Sequence, residues 1–101
     1  MASKSYEIGA AFERRVKQHM EDEGWYVTKS AGSKSITDLM GVKKGETPIG
    51  IQCRIGGKIT KREEKLLNTL GAKYGFIPLV VRKLPDHSME FRRLRGIDDE
   101  T

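Results

Sequence analysis

Apolar residues Ile8, Phe12, Val16 and Met20 recur at every fourth position, which predicts a helix from about Tyr6 to Glu23 with one buried stripe. Gly24 suits the C-terminal cap of that helix. The period then changes: Trp25, Tyr26, Val27 and Thr28 are aromatic or β-branched and read as a first strand. Lys29 to Ser35, KSAGSKS, is small, polar and suited to a loop. Leu39, Met40 and Val42, then Ile49, Ile51 and Cys53, predict two strands joined by a three-residue turn at Lys44, Gly45 and Glu46. Gly56 and Gly57 make the next turn, and Thr60 with Glu63 carries the capping-box signature of a second helix. Leu66, Leu67 and Leu70 form the expected buried stripe of that helix, and Gly75 ends it. Phe76 to Arg82 alternates as a strand covered on both faces, with Pro78 placing it at a sheet edge or in a bulge. A turn at Asp86, His87 and Ser88 leads to a last strand, Met89 to Leu94, before a charged tail, Arg95 to Thr101, that is expected to fray. This is an α/β pattern without repeats or linkers, expected to form a single domain over residues 1–101 with an ordered core of about 6–94.

With 101 residues the core is modest, in the size range where oligomerisation often adds burial. Nineteen Lys and Arg against 14 Asp and Glu give a formal charge of +5, which favours an anionic partner such as nucleic acid. The lone cysteine, Cys53, cannot form an intramolecular disulfide and fits a reducing compartment. No apolar run approaches the roughly 20 residues that span a bilayer, and MASKSYEIG has no apolar signal core, so a cytoplasmic location is expected.

Three polar residues interrupt the strand pair, where burial without partners is costly: Asp38, Gln52 and Arg54. If the turn is Lys44 to Glu46, Lys43 faces Thr47 and Asp38 falls opposite Gln52, with Arg54 on the same face. A carboxylate, an amide oxygen and a guanidinium then converge on one patch, which points to a metal site. Glu13 lies about 60° around the first helix from Val16 and can reach the edge of the core, although an isolated helix glutamate is ordinarily solvated. The KSAGSKS loop has hydroxyls and lysines suited to phosphate and leads straight into Asp38. Lys58, Lys61, Arg62 and Lys65 crowd the start of the second helix, an arrangement that opposes the macrodipole unless an anion binds there or Glu63 and Glu64 neutralise it. His19 and His87 have no metal-ligand spacing and read as surface residues.

The series FE in the first helix, VTKSAGSKSITDL, IQCR and GGKITKREEKLLNTLGAKYG resembles the archaeal Holliday junction resolvases of the PD-(D/E)XK nuclease superfamily across nearly the whole chain. The resemblance implies a restriction endonuclease-like fold, a central mixed β-sheet flanked by α-helices. It also implies a homodimer with two active sites on a four-way DNA junction, acting in DNA recombination and repair. The helical glutamate of the family falls on Glu13, its strand aspartate on Asp38, its second-strand acid on Gln52 and its lysine on Arg54, so two of these four positions depart from the family. Its basic residue after the helical glutamate matches Arg14, its basic loop entry matches Lys29, and its loop serine falls on Ser30 or Ser33. Lys34, Lys58, Lys61 and Arg62 complete the expected DNA contacts.

Phosphodiester hydrolysis at such a site is expected to use Mg²⁺, with Mn²⁺ able to substitute, held by Glu13, Asp38, the Gln52 amide oxygen and the Cys53 backbone carbonyl. Arg54 stays protonated at any relevant pH and therefore serves electrostatically, gripping the scissile phosphate. The leading expectation is a structure-selective endodeoxyribonuclease that resolves four-way junctions by paired nicks. The alternative is a branched-DNA-binding protein on the same fold whose cleavage is impaired by Gln52 and Arg54.

Overall fold

The computed structural model describes residues 4–30 and 36–94, with side chains from residue 7 onward. In chain order the elements are α1 (Lys4–Asp22), β1 (Tyr26–Lys29), β2 (Leu39–Val42), β3 (Ile49–Ile55), α2 (Lys61–Tyr74), β4 (Ile77–Lys83) and β5 (Met89–Arg93). The strands form one mixed sheet in the order β1-β2-β3-β4-β5. β1, β2 and β3 meander antiparallel, β3 and β4 pair in parallel across the α2 connection, and β5 returns antiparallel. A parallel pair needs such a crossover, and α2 supplies it.

Period-two alternation divides the sheet between two helical layers. On one face Phe12, Val16 and Met20 of α1 pack against Val27, Leu39, Ile49, Ile51 and Val81, all buried. On the other, Leu67 of α2 packs with Val80 and Leu94, flanked by Ile36 and Ile59. Phe12, Val16 and Met20 fulfil the expected stripe of α1, but Ile8 is 42% exposed. With 19 residues α1 is about 28 Å long, whereas a four-residue strand reaches about 13 Å, so its N-terminal turns overrun β1 and β2.

The stripe of α2 also differs from expectation. Leu67 is fully buried and Leu66 is 47% exposed, because the contact line runs from Leu67 to Gly71, one turn later. Gly71 is required there: a Cβ would lie 2.5 Å from the carbonyl oxygen of Phe76 and 3.0 Å from two ring carbons of Pro78. The capping box at Thr60 and Glu63 is present, and Gly75 closes the helix at φ 81°, donating its N–H to the Gly71 carbonyl.

Pro78 is not on an edge strand, since β4 pairs with β3 and β5. Its carbonyl accepts from Leu94 N–H, so its main-chain polar groups face the β5 side, just past the point where the β4–β5 ladder ends at Leu79 and Arg93. The missing N–H falls at the end of a ladder instead of inside one, which is how a proline is tolerated in an interior strand.

Candidate active site

Asp38 sits immediately before β2, and its backbone is clamped from both sides. Its carbonyl accepts from Ser30 N–H at 2.9 Å, and its own N–H donates to the Ile51 carbonyl at 2.7 Å. The β2–β3 ladder pairs Leu39 with Ile51, Met40 with Gly50 and Gly41 with Ile49. Carried one residue further, that register sets Asp38 level with Gln52, as the turn at Lys44–Glu46 predicts. The Asp38 carboxylate reaches past Gln52 and accepts from Cys53 N–H at 2.7 Å. Burial pushes the Asp38 carboxyl above its usual range, while the Cys53 N–H and the nearby Lys29 charge pull the other way.

Along β3 the side chains alternate. Cys53 packs with Ile49 and Ile51 against the α1 layer, which places Gly50, Gln52 and Arg54 on the α2 side. Gln52 is only 9% exposed, and among the described residues its Oε1 is buried with no hydrogen-bond partner. Leaving a buried acceptor unpaired costs about 1–3 kcal/mol, so this oxygen needs a partner from outside the described residues. Two residues on, Arg54 donates from Nη2 to Glu63 Oε1 at 2.6 Å. Glu63 is fixed in turn by the capping box: Oε1 also accepts from Thr60 N–H at 2.9 Å, and Glu63 N–H donates to Thr60 Oγ1 at 3.1 Å. These bonds, that to Thr60 first, keep the Glu63 carboxyl below its usual range and therefore ionised.

Glu13 lies on the α1 side, in an ion pair with Lys29 at 3.7 Å. The two line an open groove with Arg14, Lys17, Thr28 and Leu39. Glu13 and Gln52 thus lie on opposite faces of the sheet, and Asp38, just before β2, is bonded to the strand that carries Gln52. Cys53 reports on this arrangement: burial raises its thiol far above the ordinary value, and the charges of Asp38 and Glu13 both raise it further. Among the described residues no three His, Cys, Asp or Glu side chains gather closely enough to hold a metal by themselves. A cation here has to draw on amide and carbonyl oxygens as well as on carboxylates. The main chain of Cys53 offers such a group, since the N–H and C=O of one strand residue leave on the same side and its N–H faces Asp38.

Of the expected loop residues, the Ser30 hydroxyl lies 3.3 Å from that of Thr37, whereas Ser33 and Lys34 lie outside the described residues. Lys58, Lys61 and Arg62 are exposed around the start of α2. Arg82 and Arg92, which the sequence does not single out, line a second groove over β4 and β5 together with Lys58. Arg82 bonds Glu90 and the Gly56 carbonyl, and Arg92 pairs with Glu64. In the sequence they resemble any strand cation, and only the pairing of β4 with β5 brings them together. The sequence marks Glu63 as a cap but not as the partner of Arg54; a capping box just after a short turn that follows the strand is the signal that could have shown it.

The family described as archaeal Holliday junction resolvase (hjc) matches residues 4–99. The crossover junction endodeoxyribonuclease Hjc of Methanocaldococcus jannaschii is 35% identical over 82 residues, covering 77% of this chain. This chain spans about 60% of the length of that relative. Among solved structures, Hjc of Archaeoglobus fulgidus, a Holliday junction resolvase from an archaeal hyperthermophile, superposes with a TM-score of 0.68 at 22% identity, covering 84% of this chain and 71% of that one. That superposition carries the fold, a restriction endonuclease-like mixed sheet between helices. The family match spans both helices and all five strands, including Glu13, Asp38, Gln52 and Arg54, and the chain belongs to the archaeal Holliday junction resolvase family.

Proposed function

We propose that this chain is a metal-dependent, structure-selective endodeoxyribonuclease that resolves four-way DNA junctions by paired nicks as a homodimer. The observation that carries the reading is the buried, unpartnered Oε1 of Gln52, level with a half-buried carboxylate at Asp38 that is fixed to the neighbouring strand. A hard divalent cation is the partner that suits such oxygens. Asp38, Gln52 Oε1 and the Cys53 carbonyl would hold Mg²⁺, with Glu13 completing the set from the α1 side. When bound, the ion supplies a hydroxide at neutral pH and neutralises phosphate charge.

The chain's own residues do the rest. Arg54 faces the same side as Gln52 and stabilises charge on the scissile phosphate without exchanging a proton. Arg14, Lys17 and Lys29 along the α1 groove, and Lys58, Lys61 and Arg62 at the start of α2, hold the flanking backbone as sequence-independent phosphate contacts. The family relationship and the exposed Leu66 and Tyr74 of α2, 47% and 65% accessible, support pairing with a second copy.

A second reading has its own support: with a neutral amide at position 52 and Arg54 engaged by Glu63, the protein binds branched DNA without cutting it. One assay separates the two. A labelled four-way junction and a matched linear duplex are incubated with Mg²⁺, Mn²⁺ or chelator, using wild type and Asp38→Ala, with protein mass followed by light scattering. Metal-dependent nicking confined to the junction and lost in Asp38→Ala, by a species of twice the chain mass, is the expected result. Tight junction binding without nicks establishes the second reading, and equal binding of linear duplex overturns both.

A further inference from the structure

Position 54 carries an arginine whose guanidinium is already engaged by a carboxylate, and that carboxylate is itself immobilised. Glu63 Oε1 receives Arg54 Nη2 at 2.6 Å and Thr60 N–H at 2.9 Å, while the backbone of Glu63 is anchored to Thr60 Oγ1. Arg54 and Glu63 are equally accessible, each side chain 30% exposed, so the pair lies at the surface of the site. A guanidinium has five N–H donors in a planar fork, and one carboxylate oxygen uses only part of them. The remaining edge can meet a phosphate while Glu63 keeps its hold. A lysine could not do this with a defined geometry, because its ammonium is a point charge on a flexible stem.

We propose that Glu63 is a positioning residue for the phosphate-binding arginine: it pins Arg54 in one orientation from the first turn of α2, so that the free edge of the guanidinium is preset for the scissile phosphate. This rests on the proposed role of Arg54 in DNA cleavage. It gives the capping box a second purpose, since the same oxygen that closes the start of the helix also orients the active-site cation. It also links the basic turn Gly56–Lys58 and α2 to the site, because any shift of the helix start moves the arginine.

The test uses Glu63→Gln, which keeps the capping box, as glutamine serves at that position too, but removes the charge that holds Arg54. Nicking of a four-way junction is measured under saturating and limiting protein for wild type, Glu63→Gln, Arg54→Ala and the double variant. Losing preset geometry at one group should lower the maximal rate roughly tenfold to a hundredfold, with the half-saturating concentration moving far less. In the Arg54→Ala background the same substitution should have almost no further effect, because the two act as one unit. Mn²⁺ binding to the protein alone should be unchanged in Glu63→Gln. Thr60→Ala, which weakens the cap without touching the charge, should lower stability more than it lowers the rate. Additive losses in the double variant, a rate increase in Glu63→Gln, or weakened Mn²⁺ binding in that variant each overturn the proposal, the last by making Glu63 a metal ligand. If wild type binds junctions without nicking, the cleavage reading fails separately, and the same cycle read on junction affinity still requires the coupling between Arg54 and Glu63.

Discussion

Replacing Gly71 with alanine should destabilise the protein, against the helix preference of the two residues. In an open helical position alanine is favoured over glycine by about 0.8–1 kcal/mol. At position 71 the added methyl would lie 2.5 Å from the Phe76 carbonyl oxygen, with Pro78 ring carbons at 3.0 Å. Even a close C···O contact needs about 3.3 Å, so the groups must separate by roughly 0.8 Å. Phe76 cannot retreat easily: its N–H is bonded to the Gly71 carbonyl, and its ring lies against Gly50, where a Cβ would be only 2.6 Å away. Overpacking of this kind costs about 1–3 kcal/mol, and with a backbone atom as the obstacle the upper part of that range applies. The net loss should be about 1–2 kcal/mol, a fall in Tm of roughly 4–16 °C for a domain this size. Gly9 provides the contrast, since it lies in α1 and a methyl added there would meet nothing within 4 Å; Gly9→Ala should gain about 0.5–1 kcal/mol. Urea unfolding of the three proteins at equal concentration measures both effects as midpoint shifts at constant slope. Equal or greater stability of Gly71→Ala would refute the close seating of α2 on β4.

Asp38→Asn should stabilise the protein in chelator at neutral pH, because its carboxyl is raised by burial. The folded state then keeps this proton to higher pH than the unfolded state, so stability falls as pH rises from the ordinary carboxylate value to the raised one and stays lower above it. The gain from Asp38→Asn should therefore vanish in acid below that window, and a gain that persists there sinks the assignment. Cys53, with its thiol raised by burial and by Asp38 and Glu13, should react with iodoacetamide at about pH 8 far more slowly than a free cysteine until urea unfolds the chain; native-state labelling at the free rate would contradict the burial. Gln52→Glu should cost about 2–3 kcal/mol in chelator, as an unpaired charge replaces a buried amide. Much of that loss should return with Mg²⁺ in thermal melts, and a variant indifferent to metal would remove Gln52 from the proposed metal ligands.

The features legible in the sequence are those set by neighbours in the chain. The stripe Phe12, Val16, Met20 follows from helical period, and the level placement of Asp38 and Gln52 follows from a three-residue turn that leaves one register. The capping box announces α2 because its two bonds join residues three apart. Other features depend on which layer covers which face, and period alone cannot supply that. Glu13 and Gln52 approach from opposite sides because α1 and α2 cover opposite faces, and Leu66 turns outward because α2 meets the sheet along the single line from Leu67 to Gly71. Pro78 misleads for the same reason, since its cost depends on where the β4–β5 ladder ends. Gln52 and Arg54, the two positions that the resemblance marks as departures, look independent in the sequence but lie two apart on one face of β3. Position 52 is buried without a partner among the described residues, and the cation two residues away is committed to Glu63. A carboxylate at 52 would have neither that cation's full charge nor water to stabilise it. A neutral oxygen at 52, an arginine at 54 and the capping glutamate at 63 that holds it are therefore mutually consistent, since the cation beside position 52 already has its carboxylate partner on the helix.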